Sequence, residues 1–430
     1  MIDTAPREAI ASWQRERLRN LLEHSYANNP FYRAKYVAAG FKSVEAVLDA
    51  ARSAESFRDL PVTTKAEFLA DQAAHPPYGT NLATTPEHFV RQHQTSGTTG
   101  TPLKVWETRE SWDWMTGLWL RQFHALNITS RDTVFMAFNF GLGLGLWNAL
   151  DAGMQIGALT ITGGGLSSLQ RVESIVRNQA TVLISTPSYA LRLAETADAN
   201  AIDIAHCAVQ AIVTAGEPGA SIPATRSRIE EAWGARLYDS PGATEVGHTG
   251  LACSHQSVHV AEHEFYVEML NPATLEPVAG GETGEIVITN FGRPFAPVIR
   301  YRTGDIAKAA YDPCECGRTL MRLDGGILGR SDDMFVVRGV NVFPSAIEAI
   351  IRESPEITEY AVEVFEDRGM FALRIQIEMK PGSDEPVARQ LQDAFHRRLF
   401  LTTDVEIVRP NTLPRFEGKA KRVIRKIADC

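Results

Sequence analysis

Cysteine and long hydrophobic runs are both scarce in this sequence. Its 430 residues include only five cysteines, too few for a disulfide scaffold, so grouped cysteines are better candidates for metal binding. The most membrane-like stretch, residues 133–150, is interrupted by two asparagines and three glycines, whereas a membrane-spanning helix needs about 20 predominantly apolar residues. The composition excludes a disulfide-rich secreted domain and argues against a membrane-spanning protein.

Basic residues are also in deficit. The chain has 43 Lys and Arg against 52 Asp and Glu, for a net charge of -9, whereas a nucleic-acid-binding protein usually presents a basic face. The first 24 residues carry charges throughout and are typical of an amphipathic helix, not of a secretory signal. We therefore expect a cytoplasmic protein that binds neither nucleic acid nor membranes.

The length and the strand pattern predict two domains, since 430 residues exceed what one hydrophobic core usually organises. From about residue 133 to 240, short Val-, Ile- and Thr-rich runs alternate with amphipathic segments, which predicts a parallel sheet covered on both faces. Hairpin-like strands follow after about residue 255. We predict an α/β protein. Its large N-terminal domain, residues 1–330, would have layered, mostly parallel sheets plus a small antiparallel β unit, and residues 331–430 would form a small mobile α+β C-terminal domain.

Residues 95–104 read TSGTTGTPLK and combine small hydroxyl side chains with very little apolar material. The glycines allow tight turns, and hydroxyl and backbone N–H groups can surround phosphate oxygens. The stretch is not a Walker A loop, which requires GxxxxGK followed by Ser or Thr. Taken alone, such a loop is more often a solvated linker, so its interpretation depends on the rest of the chain.

Further motifs follow this stretch in a fixed order: TAGEP (214–218), PGATE (241–245), YRTGD (301–305), GRSDD (329–333) and EGKAKR (417–422). Together they resemble the motif series of the adenylate-forming acyl-CoA synthetase superfamily, from about residue 90 to the C-terminus. The short length, TPSYALRLA and EGKAKRV are most similar to its phenylacetate-CoA ligase branch. The resemblance implies an ATP-dependent enzyme that adenylates an aromatic acid, releases pyrophosphate and transfers the acyl group to CoA.

The resemblance also implies which residues bind the nucleotide. Lys104 would support a loop that holds the β- and γ-phosphates, made of Thr95, Ser96, Gly97, Thr98, Thr99 and Gly100. Thr244 would contact the α-phosphate, and Glu245 would bind Mg²⁺, a hard ion that prefers carboxylate oxygens. For Glu245 the alternative is a surface carboxylate that ends a strand.

The nucleoside would be bound by three further motifs. Asp305 would accept hydrogen bonds from both ribose hydroxyls, with help from Arg330. Many relatives place an aromatic residue before the Gly-x-Thr-Glu run, where this chain has Pro241. The adenine side would therefore be lined by Gly216, Glu217, Pro218 and, as a nearby aromatic, Tyr238.

Two catalytic states would involve the C-terminal domain. Lys419 matches the lysine that bridges the carboxylate and the α-phosphate during adenylation, and its alternative is a solvated tail lysine among Lys421, Arg422, Arg425 and Lys426. Asp332 matches the hinge that reorients this domain. Gly339 would line the thiol tunnel in the second state, or would be a glycine at a strand bulge.

Cysteine and histidine supply a second constellation, formed by Cys253, His259, Cys314 and Cys316. Three thiolates and one imidazole complete a tetrahedral zinc site that would be closed and structural. His255 or His263 could replace His259. The alternative is a set of reduced surface cysteines.

The acid pocket is predicted from aromatic residues beside glycines and comprises Phe138, Phe140, Gly141, Tyr189, Pro241 and Gly242. A flat aromatic pocket without a fixed charge suits a phenylacetate- or benzoate-like acid, although aromatic residues at such positions are often core. Two other functions stay open: an adenylating enzyme that loads a carrier-protein pantetheine or modifies a cofactor without a thioester, and a non-catalytic nucleotide-binding regulator. A homodimer is common among similar enzymes.

Overall fold

The structure is a computed structural model that describes residues 2–95, 101–141, 147–337, 340–367, 370–380, 386–416 and 420–426. Across those ranges, every helix is too short or too polar to pass through a lipid bilayer. The helices and strands fall into an N-terminal helical segment, three sheets of four or more strands, and short hairpins.

The N-terminal segment is helical and packs on the antiparallel sheet described below. Its helices are α1 (Arg7–Asn28), α2 (Pro30–Ala38), α3 (Val44–Ala50), α4 (Ala54–Phe57) and α5 (Lys65–Ala74). A capping box fixes the start of α5, because the Thr64 side chain accepts from the Glu67 N–H and the Glu67 carboxylate accepts from the Thr64 N–H. Leu18, Leu22 and other apolar residues of these helices share one core cluster with the strands of that sheet.

A hairpin and a parallel sheet come next. The hairpin consists of β1 (Phe89–Gln94) and β2 (Lys104–Thr108). The sheet and its helices are α6 (Arg109–Ala125), β3 (Thr133–Met136), α7 (Trp147–Gln155), β4 (Leu159–Thr162), α8 (Ser168–Arg177), β5 (Val182–Ser185), α9 (Pro187–Ala199), β6 (Ala211–Thr214), α10 (Pro223–Trp233) and β7 (Arg236–Asp239). The strands are all parallel, in the order β4-β3-β5-β6-β7.

Alternate side chains of the parallel strands point into two separate cores, as the period of two in a strand requires. Phe135 and Leu183 pack with α8, α9 and α10, whereas Val134 and Ile184 pack with α6 and α7. The predicted parallel sheet with both faces covered is thereby confirmed.

The antiparallel unit has six strands and so exceeds the parallel sheet in strand number. A short hairpin precedes it, made of β8 (Gly242–Ala243) and β9 (Gly247–His248). The six strands are β10 (Gly250–Ala252), β11 (Val258–Val260), β12 (Phe265–Leu270), β13 (Thr283–Asn290), β14 (Tyr301–Ala310) and β15 (Arg322–Arg330). The sheet order is β10-β11-β15-β14-β13-β12. The β12–β13 pairing was predicted from the sequence, whereas β15 was not recognised because two glycines with positive φ, Gly325 and Gly326, interrupt its apolar pattern.

The C-terminal part is an α+β module, as predicted. It contains β16 (Phe335–Val337), β17 (Val340–Val342), α11 (Pro344–Ile351), β18 (Ile357–Asp367), β19 (Met370–Met379), α12 (Pro386–Leu399), β20 (Asp404–Val408) and β21 (Val423–Lys426). The mixed sheet has the order β20-β19-β18-β21. The predicted single strand at residues 334–343 contains two short paired strands. The domain boundary between residues 330 and 331, the homodimer and the cytoplasmic location stay predictions.

Candidate active site

Lys104 and Glu245, two residues predicted to handle phosphate and Mg²⁺, line the same cavity. Lys104 begins β2, and its backbone N–H donates to Gln72 Oε1 at 3.1 Å while its carbonyl accepts from Gln72 Nε2 at 2.7 Å. At the other end of the hydroxyl-rich stretch, the Thr95 hydroxyl accepts from the Leu103 N–H at 3.0 Å. Hydrogen bonds therefore hold both ends of this stretch, Thr95 and Lys104, in place. The predicted phosphate-binding residues between them lie outside the described residues: Ser96, Gly97, Thr98, Thr99 and Gly100.

The Glu245 carboxylate has two neighbours that the sequence did not indicate. Lys65 Nζ lies 3.2 Å from Glu245 Oε1, and the Tyr301 hydroxyl donates to the same oxygen at 3.3 Å. Lys65 is the first residue of α5. The Thr64–Glu67 capping pattern around it predicts where a helix begins but does not indicate a catalytic or binding role. Glu245 is therefore not an isolated surface carboxylate: a cation and a hydroxyl surround it beside the cavity.

The backbone of Thr244 and Glu245 is held by a buried arginine. Arg293 Nη1 donates to the Thr244 carbonyl at 3.1 Å and to the Glu245 carbonyl at 2.7 Å. Arg293 Nη2 lies 2.6 Å from Glu107 Oε1, with both side chains at most 1% exposed. Burial raises the pKa of Glu107, and the charge of Arg293 opposes that shift. This ion pair ties the end of β2 to the PGATE motif, and sequence reasoning missed both members because no motif contains them.

Asp305, Arg330 and Asp332 form a second polar group. Asp305 and Arg330 are paired across β14 and β15, and Arg330 Nη1 lies 3.2 Å from Asp305 Oδ1. Arg330 also donates to both carboxylate oxygens of Asp332 at 2.8 Å. Burial would lower the pKa of Arg330, but the bond to Asp332 and the charge of Asp305 raise it above its ordinary value. The structure therefore brings the predicted ribose residue beside the predicted hinge residue.

Glu217 of the TAGEP motif faces the C-terminal segment. Its Oε1 accepts from the Ser188 N–H and its Oε2 from the Ala420 N–H, both at 2.8 Å. Gly216 before it has a φ of +96°, a conformation that favours glycine. Lys419 lies outside the described residues, but its neighbour Ala420 is thus bonded directly to the nucleotide-side motif.

The predicted pocket residues around the parallel sheet divide between its two cores. The rings of Phe138 and Phe140 lie 5.0 Å apart, and Phe140 meets Trp147 at 4.5 Å. Phe138 and Phe140 are partly buried against the cluster that also contains Tyr238. The Tyr238 ring is packed in that core, and its predicted adenine contact and the predicted acid contacts of the two phenylalanines stay predictions.

Tyr189 lies in the core on the opposite face and is completely buried. Its hydroxyl is bonded to Arg171 and lies 3.1 Å from Ser168 Oγ. Arg171 in turn donates to Asn139 Oδ1 at 2.8 Å. Tyr189 therefore supports the segment that carries Phe138 and Phe140 through Arg171, and its contact with an acid stays a prediction.

The short turn at the PGATE motif depends on close backbone packing. Gly242 pairs with His248, and a Cβ atom at Gly242 would lie 2.6 Å from the Gly247 carbonyl oxygen. The Pro241 carbonyl accepts from the Thr249 N–H at 3.1 Å. At the edge of the aromatic cluster, the Gly141 carbonyl accepts a hydrogen bond from Trp147 Nε1 at 3.1 Å. These residues shape the site through their backbones.

The predicted cysteine and histidine group does converge. One ligand atom from each of Cys253, His259, Cys314 and Cys316 lies within 4.8 Å of the others. Cys253 Sγ and Cys314 Sγ are 4.0 Å apart, and Cys316 Sγ is 3.4 Å from His259 Nε2. Three sulfur atoms and one imidazole nitrogen are the donor types of a structural zinc site, whose tetrahedral ligands lie roughly 3.3–3.8 Å apart. The Cys316–His259 separation lies within that range, and the Cys253–Cys314 separation is slightly wider.

The alternative histidines point elsewhere. His255 Nδ1 lies 3.2 Å from Glu315 Oε2, and His263 Nδ1 lies 3.4 Å from Asp3 Oδ1. His259 Nδ1 faces the Leu320 carbonyl at 3.3 Å, which leaves Nε2 towards the sulfur atoms and is the usual arrangement of a metal-binding histidine. The tertiary structure thus selects His259 among the three candidates.

Comparison with known protein families matches both parts of the chain. The model of the AMP-binding enzyme family matches residues 7–292, and that of the AMP-binding enzyme C-terminal domain matches residues 339–426. The chain therefore belongs to the AMP-binding enzyme family.

Characterised relatives cover nearly the whole chain. A phenylacetate-coenzyme A ligase from Escherichia coli is 33% identical over 435 residues, covering 98% of this chain and 96% of that protein. A phenylacetate-coenzyme A ligase from Thermus thermophilus is 30% identical, covering 98% of both chains.

Solved structures of a 2-hydroxyisobutyryl-CoA ligase resemble this chain to different degrees in different states. The post-adenylation complex with 2-HIB-AMP has a TM-score of 0.93 at 28% identity, covering 99% of this chain and 91% of that chain. The thioesterification-state complex with CoA has a TM-score of 0.74 at 30% identity, with the same coverage. The present structure is thus more similar to the post-adenylation complex of that ligase than to its thioesterification complex.

Proposed function

We propose that this protein is an AMP-forming CoA ligase for aromatic carboxylic acids such as phenylacetate or benzoate relatives. The enzyme would adenylate the acid with ATP and transfer the acyl group to the CoA thiol. The observation that carries the proposal is the match, over 98% of the chain, to phenylacetate-coenzyme A ligases. The partly buried aromatic cluster around Phe138 and Phe140 supports an aryl acid.

The charged residues of the cleft suit the adenylation step, in which negative charge accumulates on phosphate oxygens. Lys104 and Lys65 would provide positive charge near the phosphates, and Thr244 would contact the α-phosphate. Lys419 would bridge the carboxylate and the α-phosphate. Asp305 would accept from the ribose hydroxyls while Arg330 holds it.

Glu245 suits an Mg²⁺ ion that arrives with the nucleotide, because Mg²⁺ is commonly bound by one or two carboxylates plus substrate phosphates. Bound there, the ion would neutralise phosphate charge. Lys65 and Tyr301, both near Glu245 Oε1, fix the orientation of the carboxylate. Arg293 holds the backbone that presents it.

Acid-dependent exchange of pyrophosphate into ATP tests the first half of this function. A panel of aromatic and aliphatic acids is assayed, and we expect exchange with aromatic acids and an acyl-CoA product after CoA is added. Exchange without any acyl-CoA would favour an enzyme that loads a carrier protein or modifies a cofactor. Absence of exchange with every acid would contradict the proposal and favour a nucleotide-binding regulator.

We also propose that Cys253, His259, Cys314 and Cys316 hold a structural Zn²⁺ ion. All four positions of a tetrahedral site would be filled by protein, so the ion would bind no substrate. Metal analysis of protein purified without added metal should find about one zinc per chain, the four-ligand stoichiometry. Cys314→Ser should lower both the zinc content and the unfolding temperature. Zinc-free protein with an unchanged unfolding temperature would contradict the site.

A further inference from the structure

The residues that directly follow position 419 are attached to the large domain by two hydrogen bonds. The Ala420 N–H donates to Glu217 Oε2, and Arg422 Nη1 donates to Ser188 Oγ, each at 2.8 Å. Ser188 is the second residue of α9, and Glu217 lies three residues beyond β6. Ala420 and Arg422, which follow Lys419 by one and three residues, are therefore both fixed to the large domain.

Arg422 itself is anchored in the small sheet. Its carbonyl accepts from the Val362 N–H at 2.8 Å, and its Nε and Nη2 donate to the two oxygens of Glu359 at 2.6 and 3.2 Å. The guanidinium lies 5.1 Å from the centre of the Tyr360 ring, and the residue is only 9% exposed. Glu359 thus fixes the plane of the guanidinium, and only Nη1 reaches across to the large domain.

Ser188 joins the two crossing bonds into one network. Its N–H donates to Glu217 Oε1 at 2.8 Å while its hydroxyl accepts from Arg422. The Glu217 carboxylate is buried, and burial raises its pKa, whereas the Ala420 and Ser188 N–H groups stabilise its charged form. Because Glu217 and Ser188 each bind one residue of the 420–422 segment, moving that segment away breaks both bonds together.

On the basis of the proposed function, we propose that Arg422 and Ser188 are positioning residues that act in adenylation and not in thioester formation. Their contact fixes the segment next to Lys419 on the large domain in the arrangement seen here. That arrangement is closer to a post-adenylation complex than to a CoA-bound thioesterification complex of the same relative. Arg422 and Glu359 both belong to the C-terminal part, so their bond would move with that part, and losing the Ser188 contact would not leave the guanidinium unpaired.

Ser188→Ala tests this role, since it removes the hydroxyl, which accepts from Arg422 and also contacts Glu217, and keeps the N–H that donates to Glu217. We expect acid-dependent pyrophosphate exchange to fall about tenfold, the effect of one hydrogen bond to a charged group. Thioester formation from supplied acyl-adenylate and CoA should change less than about twofold, because that step does not use the contact. Thr196→Ala is the matched control, because the Thr196 hydroxyl is also on α9 but donates within the helix, to the Arg192 carbonyl. This control should leave both rates unchanged.

Arg422→Lys provides a second variant, because one ammonium group cannot make the bidentate bond to Glu359 and also reach Ser188. It should lower the same half-reaction, with an unfolding temperature measured alongside to confirm folding. Equal loss in both half-reactions, or no loss in exchange, would overturn the positioning role. The wild-type protein separates the two proposals. If it shows no pyrophosphate exchange with any acid, the proposed function is wrong. If the wild type is active and Ser188→Ala exchanges pyrophosphate at the wild-type rate, only the positioning role is wrong.

Discussion

The two sides of the candidate site are held in different ways. On the large-domain side, the Glu245 backbone is fixed by Arg293, which is paired with Glu107 in the protein interior. On the C-terminal side, Ala420 and Arg422 are fixed by hydrogen bonds that cross between the two parts of the chain. The first arrangement lies within one part of the chain, whereas the second joins two parts.

This difference indicates that the contacts within the large domain are permanent, whereas the contacts between the two parts of the chain can be reversible. Removing one member of a buried ion pair costs about 3–5 kcal/mol, so the Glu107–Arg293 pair should persist through every step. A hydrogen bond to a charged group contributes about 1.5–3 kcal/mol net, less than the buried ion pair, so the bonds that cross between the two parts of the chain can break and re-form at lower cost. The proposed nucleotide-binding residues would thus be preorganised, and Lys419 would be brought in for the adenylation step.

The largest effect is expected from Lys419→Ala, which addresses the assembled side. Loss of the bridging ammonium should abolish pyrophosphate exchange, a decrease of at least about 10²-fold. Thioester formation from supplied acyl-adenylate should remain largely intact, because Lys419 would have no role in that step. Separate assays of the two half-reactions measure this, and an equal loss in both would contradict the division of labour.

Glu107→Ala addresses the preorganised side and should destabilise the protein by about 3–5 kcal/mol, because it leaves the Arg293 guanidinium buried without its partner. Both half-reactions should fall in parallel, since both use the Glu245 side. Chemical denaturation measures the loss. The matched control is Asp113→Ala, which removes the exposed Arg109–Asp113 pair on α6 and should cost about 0.5 kcal/mol or less.

Gly339→Leu should give the reverse of the Lys419 pattern. A side chain in the predicted thiol tunnel should reduce thioester formation by about tenfold, the usual scale of an overpacked site. Pyrophosphate exchange should stay near the wild-type rate. Gly339 lies outside the described residues, so this variant also tests the tunnel assignment; a normal thioester yield would count against it.

The smallest effect is expected on the pH dependence of stability, through the buried His248. Burial lowers the pKa of His248 from its ordinary value of 6.5 to about 3, and its ring stacks on Trp119 at 4.4 Å. Below pH 6.5, His248 is protonated in the unfolded chain but stays neutral in the folded protein. The free energy of unfolding therefore decreases as the pH falls from 6.5 towards 3.

At pH 5.5 this loss should be about 1 kcal/mol relative to pH 7.5. Unfolding by urea at the two pH values measures it, and His248→Phe should remove that part of the pH dependence while keeping an aromatic ring beside Trp119. The same substitution at the exposed His124 serves as the control. An identical pH dependence in wild type and His248→Phe would show that His248 is not held neutral in the folded protein.

Sequence patterns predicted the parallel sheet well because buried strands and their covering helices carry regular apolar periods. Motif order indicated Glu245 and Asp305, and residue type indicated the cysteine and histidine group. Lys65 and Arg293 were missed because each acts through a contact with a residue far away in the chain, and single-chain patterns carry no such information. Arg422 was given no role of its own, either as the last residue of EGKAKR or as part of a solvated run, yet it is buried because β21 adds to the small sheet at that point.

The sequence alone determined the chemical inventory: a hydroxyl- and glycine-rich stretch, acidic residues in a fixed order, a C-terminal lysine and a cysteine–histidine set. These follow from residue type and order along the chain. Only the tertiary structure decided which histidine joins the cysteines, which cation faces Glu245 and which groups secure Ala420 and Arg422. The physical reason is that hydrogen bonds and ion pairs depend on distances of a few ångströms between segments that packing of the whole chain brings together.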